Sequence, residues 1–239
     1  MTGSEVPQSI LERFKRVSTA TVYIAVRDGG SPLCFMEGVH PMTLGRRLAG
    51  RARTLRFLPP RADLHAEVFI GENAPEYRAM DLCHEGDVLV ADTMRQPYQP
   101  VLGDVKALQL QMQGAEGIVT DGAIRDLEIV STYGFPIFAA RRSPSARQYG
   151  EAFDVGLDIQ CAGVLVRPGD VIVGDDNGVV VVPAYMAEEV VAWAEEHERA
   201  EEYVKERILE ERCRPGRYYP PSGALKEQLR SSGYTPRVH

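Results

Sequence analysis

Apolar residues change their rhythm along the chain, and each change predicts a different kind of element. Between residues 8 and 17, Ile10, Leu11, Phe14 and Val17 recur at helical spacing, and Ser18-Thr19 then either ends that helix or caps another. DGGSP at 28–32 is a turn. From Arg46 to Arg56 the basic residues alternate with Leu48, Ala49, Ala52 and Leu55, so a strand over Arg51–Leu58 is expected to keep one wet face. After Pro59-Pro60, residues 63–80 are mainly helical, broken by Gly71 and Pro75.

From residue 86 the pattern turns to short apolar runs bounded by glycine, proline or aspartate. GDVLVADT (86–93), GIVTDG (117–122), FPIFAA (135–140), GVLVRPGDVIVGD (163–175) and GVVVVP (178–183) are β-rich. Between the first two, DVKALQLQMQG (104–114) places Val105, Leu108 and Met112 at helical spacing before a glycine stop. A right-handed strand-helix-strand crossover makes runs 86–93 and 117–122 parallel neighbours. It sets Asp104 near the helix start and Arg125-Asp126 just past the second strand, both at the sheet edge where open α/β sheets hold ligands. Residues 184–212 contain no glycine or proline and carry Met186, Val190, Trp193 and His197 on one stripe, predicting one long helix. Its dense glutamates read as a solvated face with i,i+4 pairs such as Glu201 with Lys205. Pro215 to His239 is expected to be an irregular arm.

The class is therefore α/β, and the 239 residues at 44% hydrophobic content suffice to bury a full core. One domain is expected over 1–239, with its core at about 15–185 and the helix and arm over 184–239. No run approaches the roughly 20 apolar residues of a membrane span, and MTGSEVPQSILERFKRV lacks a secretory core, so a cytoplasmic protein is expected. A net charge of -7 without a clustered basic patch argues against nucleic acid. Cys34, Cys83, Cys161 and Cys213 lie far apart and read as ordinary reduced thiols. Asp175-Asp176-Asn177, between two β-runs, reads as a tight hairpin rather than a cation loop. His40, His65, His84, His197 and His239 lack metal-site spacing.

The remaining candidate chemistry sits at two strand ends. The amides of Val105 and Lys106, at a helix N-terminus after Gly103-Asp104, can face an anion. Arg125 can grip a carboxylate bidentately, and Asp126 can hold a hard divalent cation with water completing its shell. Asp104, and a glutamate from the long helix of a neighbouring subunit, can accept hydrogen bonds from such waters. The plainer reading of Arg125-Asp126 is a helix cap with a surface ion pair.

Asp104, twenty intervening residues, then Arg125-Asp126, within GDVKALQLQMQGAEGIVTDGAIRDLEIVSTYGFPIFA, resembles the 4-hydroxy-4-methyl-2-oxoglutarate/4-carboxy-4-hydroxy-2-oxoadipate aldolase family, which includes the regulator of ribonuclease activity A. The likeness extends to GVHPMTLGRRLAGRARTLRFLP and RPGDVIVGDDNGVVVVP, covering roughly residues 38–183. It implies an RraA-like swivelling three-layer β/β/α domain with a long C-terminal helix, assembled as a trimer or a dimer of trimers with sites between subunits. It implies a lyase that binds Mg2+ or Mn2+ and releases pyruvate from a 4-hydroxy-2-oxo acid, with oxaloacetate decarboxylation as a related activity. Asp126 would be the metal ligand and Arg125 the carboxylate clamp. Asp104 would hold a metal-bound water, and Gly103, Val105 and Lys106 would line the bound oxo acid. Glu202, from the adjacent subunit, would complete the site, with Glu201 and Glu198 as neighbours in the same motif. The alternative is a non-catalytic regulator that binds a protein partner. This chain departs from the pattern at Ile24, where members usually carry aspartate, and at Lys106, where they carry bulkier apolar residues. Lys106 either favours a second carboxylate or points into solvent.

Overall fold

The computed structural model describes residues 5–68, 71–145 and 149–236. Residues 1–4 of the N-terminal segment, 69–70 of the predicted helical stretch, 146–148, and 237–239 of the arm lie outside the described residues. Helices α1 (Gln8–Phe14) and α2 (Thr19–Asp28) open the chain, and Ser18 caps the second by accepting the Thr21 N–H at 3.2 Å. There follow β1 (His40–Pro41), β2 (Leu48–Leu58), α3 (Ala62–Val68), α4 (Pro75–Asp81) and β3 (Asp87–Asp92). Then come β4 (Pro100–Leu102), α5 (Asp104–Gln113), β5 (Gly117–Ile124), α6 (Leu127–Val130) and β6 (Ile137–Arg142). The rest is β7 (Glu151–Val155), β8 (Ile159–Cys161), β9 (Val164–Val166), β10 (Val171–Asp175), β11 (Gly178–Val182), α7 (Ala187–Glu211) and α8 (Gly223–Ser232).

The main sheet runs β1-β6-β5-β3-β2-β10-β11, with β4 added to β5 and β7 to β2. Its centre is parallel, including the expected β3–β5 pair, and β10–β11 is an antiparallel hairpin turning at Asp176-Asn177. The two edges nearly meet. Met36 N–H donates to Val179 O at 3.0 Å and Val181 N–H to Cys34 O at 2.8 Å, while His40 pairs with Ala139 of β6. The sheet thus curls into an almost closed barrel, which removes most of its exposed edge.

Because strand side chains alternate, each central strand feeds two cores. Val88, Val90, Val119, Phe138, Ile172 and Val181 fill the barrel. Leu89, Ala91, Ile118 and Ile124 face the α4–α6 layer, where Leu110 is fully buried. Ala49, Val171, Val173 and Val180 face α1, α2 and α7 instead. This explains why β3 and β5 read as continuous apolar runs: every residue of both is buried.

Several expectations change. β2 starts at Leu48, and its wet face is largely closed: Arg51 and Arg53 both pair with Asp87, at 2.9 and 3.0 Å, leaving the Arg51 side chain only 11% exposed. The α5 helix is present, but its predicted stripe faces outward. Val105 is 78% and Met112 79% exposed, whereas Ala107 and Leu110 are the buried positions. The arm is not wholly irregular, because α8 packs on α7 through Arg230–Glu196 at 2.9 Å and Lys226–His197 at 2.9 Å. On α7, Lys205 pairs with Glu202 at 2.5 Å rather than with Glu201, which sits 3.4 Å from His197.

Candidate active site

Two chain segments meet because of a strand too short to show in the apolar pattern. Strand β5 pairs with β3 up to Thr120 and then with β4, Pro100 opposite Ala123 and Leu102 opposite Ile124. β3 has meanwhile turned away through Thr93–Gln96, and β4 takes its place. The chain leaves β4 through Gly103 into α5 and leaves β5 through Arg125-Asp126, so both exits are held side by side. The Arg125 N–H donates to Leu102 O at 3.0 Å.

The exchange of neighbours is fastened by Asp121. This carboxylate is 4% exposed and accepts from Thr93 N–H and Thr93 Oγ1, both at 2.7 Å, and from Arg95 N–H at 3.0 Å. Gly122 beside it admits no side chain, since a Cβ would lie 2.6 Å from Gln99 O. Gln99, itself 2% exposed, accepts Gly150 N–H at 2.8 Å and ties in the segment before β7. Asp92 completes the cluster, accepting from Met94 N–H at 2.7 Å and Gln160 Nε2 at 2.6 Å. Burial, and secondarily Asp121, raises the Asp92 carboxyl above the usual range. This network supports the site from beneath, and neither carboxylate lines the cleft.

The cleft has a volume of about 300 Å3 and is lined by Pro100 to Lys106 together with Arg125 and Asp126. Asp126 is exposed, adopts a left-handed backbone (φ 52°) and starts α6 without a capping hydrogen bond from its side chain. A Cβ on Gly103 would fall 2.4 Å from Asp126 Oδ2, so only glycine leaves that carboxylate room. Among the described residues, Arg125 forms no ion pair, and its Nε is buried without a hydrogen-bond partner. The surface-ion-pair reading therefore does not describe this arginine: its guanidinium is an unused donor at the wall of a cleft.

The other expected residues are placed less uniformly. Asp104 is the first residue of α5, half-buried, and its Oδ1 accepts the Val105 N–H at 2.8 Å, so that amide is occupied. The Lys106 side chain does not point freely into solvent. Its Nζ lies 2.5 Å from Glu76 Oε1 and 5.5 Å from the centre of the Tyr77 ring. Glu202 is not in this cleft. It lines another of about 440 Å3 between α7 and the start of α2, with Glu198 and Glu201. Glu198 is engaged there by the Ser18 N–H at 2.6 Å. Sequence reasoning missed β4, Glu76 and the Asp121 network. The only signal for β4 was the proline-bounded QPYQPVLG.

The sequence profile of the RraA-like family (Aldolase/RraA) matches residues 19–181. The chain belongs to the RraA-like family. A Halalkalibacterium halodurans protein provisionally named 4-hydroxy-4-methyl-2-oxoglutarate aldolase is 29% identical over 216 residues, covering 90% of this chain and 96% of its own length. A Streptomyces coelicolor structure, described as an unusual member of the RNase ES inhibitor RraA protein family, superposes with a TM-score of 0.75 at 31% identity, covering 84% of this chain and 99% of that one. An uncharacterized Pseudomonas syringae protein gives a TM-score of 0.75 at 25% identity over 90% of this chain and 98% of its own. The chain thus has the RraA-like fold, here a nearly closed barrel with helices that include a long C-terminal one.

The donor set can be tested against a cation. Asp104 and Asp126 offer oxygen only, and no group of three or more histidine, cysteine or acidic side chains that could hold a metal occurs among the described residues. Two carboxylates on a wet cleft suit Mg2+ or Mn2+, which keep most of their waters, and do not suit zinc. Three of the four thiols are buried; burial pushes Cys34 up to about 11 and Cys83 to about 12, and holds Cys161 well above the usual range.

Proposed function

We propose that this RraA-like chain is a divalent-metal-dependent carbon-carbon lyase, cleaving a 4-hydroxy-2-oxo acid to pyruvate and a second oxo acid, and decarboxylating oxaloacetate as well. The observation that carries this reading is the Arg125 guanidinium, which has no acidic partner among the described residues and lines a cleft beside an uncapped carboxylate. A buried donor left unsatisfied is costly, so it calls for a ligand, and a planar fork suits a carboxylate.

In this reading Arg125 holds the substrate's 1-carboxylate, and Asp126, supported by Asp104, holds Mg2+ or Mn2+. The cation would supply a Lewis acid for the 2-oxo group. Asp104 releases the Val105 N–H as the oxo acid arrives, freeing the first amides of α5, those of Val105 and Lys106, for the developing negative charge. The 4-hydroxyl loses its proton as the C3–C4 bond breaks, and a proton returned to C3 forms the methyl group of pyruvate. Asp104 and the Glu202 carboxylate of a second copy are the groups assigned to move those protons. The exposed Val105, Leu108 and Met112 stripe is apolar surface for that copy, in a trimer or a dimer of trimers.

A second reading is a regulator that binds a protein partner. The likeness to the Streptomyces coelicolor protein favours it, and the same α5 stripe would serve as its contact surface. In either case small oxo acids or proteins are the partners expected, in the cytoplasm, without nucleic acid or membrane. Among the described residues no helix is long and apolar enough to cross a membrane. Purified protein mixed with 4-hydroxy-4-methyl-2-oxoglutarate or oxaloacetate decides between the readings. Pyruvate release with Mg2+ or Mn2+, abolished by chelator, supports the lyase; its absence with an intact fold and every divalent metal supports the regulator.

A further inference from the structure

The turn that carries the chain from β3 towards β4 is built from residues ill suited to it. Thr93–Gln96 closes with Gln96 N–H donating to Thr93 O at 3.1 Å, and its two central residues, Met94 and Arg95, both have left-handed backbones, with φ of 59° and 57°. Such a turn ordinarily takes asparagine and glycine, because most side chains are strained there. Here two buried carboxylates hold what the residue types do not favour. Three consecutive amides point at them: Thr93 and Arg95 N–H donate to Asp121, and Met94 N–H donates to Asp92 Oδ1 at 2.7 Å. Successive amides of this kind make an anion-binding hollow, and the chain fills it with its own side chains.

Asp92 is the less well satisfied of the two. It is buried, Gln160 Nε2 is shared between it and Asp121 at 2.6 and 3.4 Å, and Arg56, the cation whose charge reaches it, is paired with Asp154. A strained backbone persists only where its surroundings over-determine it, and such places gather around functional sites. The strand that follows needs positioning. β4 has three residues, its register against β5 shifts between Pro100 and Leu102, and it leads into Gly103, against which Asp126 lies. Resting on the lyase reading, we infer that Asp92 is a positioning residue: by accepting the Met94 N–H it holds the Thr93–Gln96 turn left-handed and so sets where β4 lays Gly103 against Asp126. The acceptor oxygen carries this role, and the negative charge does not.

The test combines amide hydrogen exchange over residues 101–106 with kcat for pyruvate release from 4-hydroxy-4-methyl-2-oxoglutarate in Mg2+. Asp92→Ala is expected to speed exchange there and to lower kcat by on the order of tenfold, a part of the 100-fold that about an ångström of misplacement costs. Asp92→Asn keeps the acceptor and is expected to match the wild type in both, with an equal or higher melting temperature. Arg95→Gly, which adopts the left-handed backbone without strain, is expected to restore part of the loss when added to Asp92→Ala. Arg95→Val, at an exposed position, disfavours that backbone and is expected to loosen 101–106 with Asp92 intact, which keeps the test decisive should Asp92→Ala not fold. Wild-type exchange over 101–106 in both Asp92→Ala and Arg95→Val overturns the inference, and so does Asp92→Asn behaving like Asp92→Ala. A fall in kcat that only follows a fall in melting temperature, without rescue by Arg95→Gly, also overturns it. If the wild type releases no pyruvate, the lyase reading falls, and the exchange comparison still decides whether Asp92 places β4.

Discussion

The carboxylate of Asp126 lies against the Cα of Gly103, so close that a Cβ there would sit 2.4 Å from Asp126 Oδ2. Gly103 has an ordinary extended backbone (φ -125°), so space rather than backbone freedom requires the glycine. Gly103→Ala can be accommodated if Asp126 swings away, because the clash is with the end of a side chain. The expected result is a nearly unchanged melting temperature with pyruvate release lowered about 100-fold, the usual scale for an ångström of misplacement. Thermal unfolding and an initial-rate assay on one preparation check both halves.

Arg125 should matter to ligand and not to fold. Its Nε has no partner among the described residues, so Arg125→Met removes an unsatisfied buried donor and is expected to leave stability unchanged or slightly raised. The same substitution should lower kcat/KM by about 1,000-fold, roughly 4 kcal/mol, as expected when a charge-assisted clamp on a carboxylate is lost. Had Arg125 been a structural ion pair, stability would fall instead.

Asp121 should behave in the opposite way. Its Oδ1 accepts two bonds from Thr93, and its Oδ2 accepts Arg95 N–H. Asp121→Ala leaves these donors buried and unpaired, at an expected cost of about 3 kcal/mol or more in chemical denaturation. Asp121→Asn turns an amide NH2 towards at least one donor and is expected to cost about 1–3 kcal/mol.

Much of this was legible in the chain, and what was not has physical causes. The long apolar runs revealed the central strands because burial on both faces leaves no alternation to misread. Asp104 and Arg125-Asp126 could be placed at one sheet edge from the strand-helix-strand order alone. β4 was invisible because three residues carry no period, yet it brings Gly103 against Asp126. The outward stripe on α5 misled because Val105, Leu108 and Met112 have the right spacing for a buried face, and spacing does not say which side the partner is on. The pairing of Lys106 with Glu76 joins residues 30 apart and left no local trace.

The C-terminal helices should loosen in mild acid. His197 stacks on Trp193 with ring centres 4.6 Å apart, and its Nδ1 meets Lys226 Nζ at 2.9 Å, which requires a neutral imidazole as acceptor. Burial first, and then the Lys226 charge, hold His197 below the usual imidazole range of about 6.5, against the pull of Glu201 and Glu198. A base depressed on folding contributes stability above its unfolded pKa and loses it as pH falls through the folded one. Fluorescence of Trp193, the sole tryptophan, should therefore change as pH falls below about 6.5, the ordinary imidazole value, and Lys226→Met, which removes a charge that holds His197 down, should move that change to higher pH. A signal independent of pH would show that α8 docks without this contact.

The most direct measurement is exchange of the pyruvate methyl protons with D2O, followed by proton NMR, because it needs no knowledge of the natural leaving half. With Mg2+ or Mn2+ the wild type should exchange the methyl group rapidly. Chelator, Arg125→Ala and Asp126→Ala should each return exchange to the uncatalysed rate. Pyruvate that binds in an Arg125-dependent way yet shows no exchange with either metal would contradict the lyase assignment.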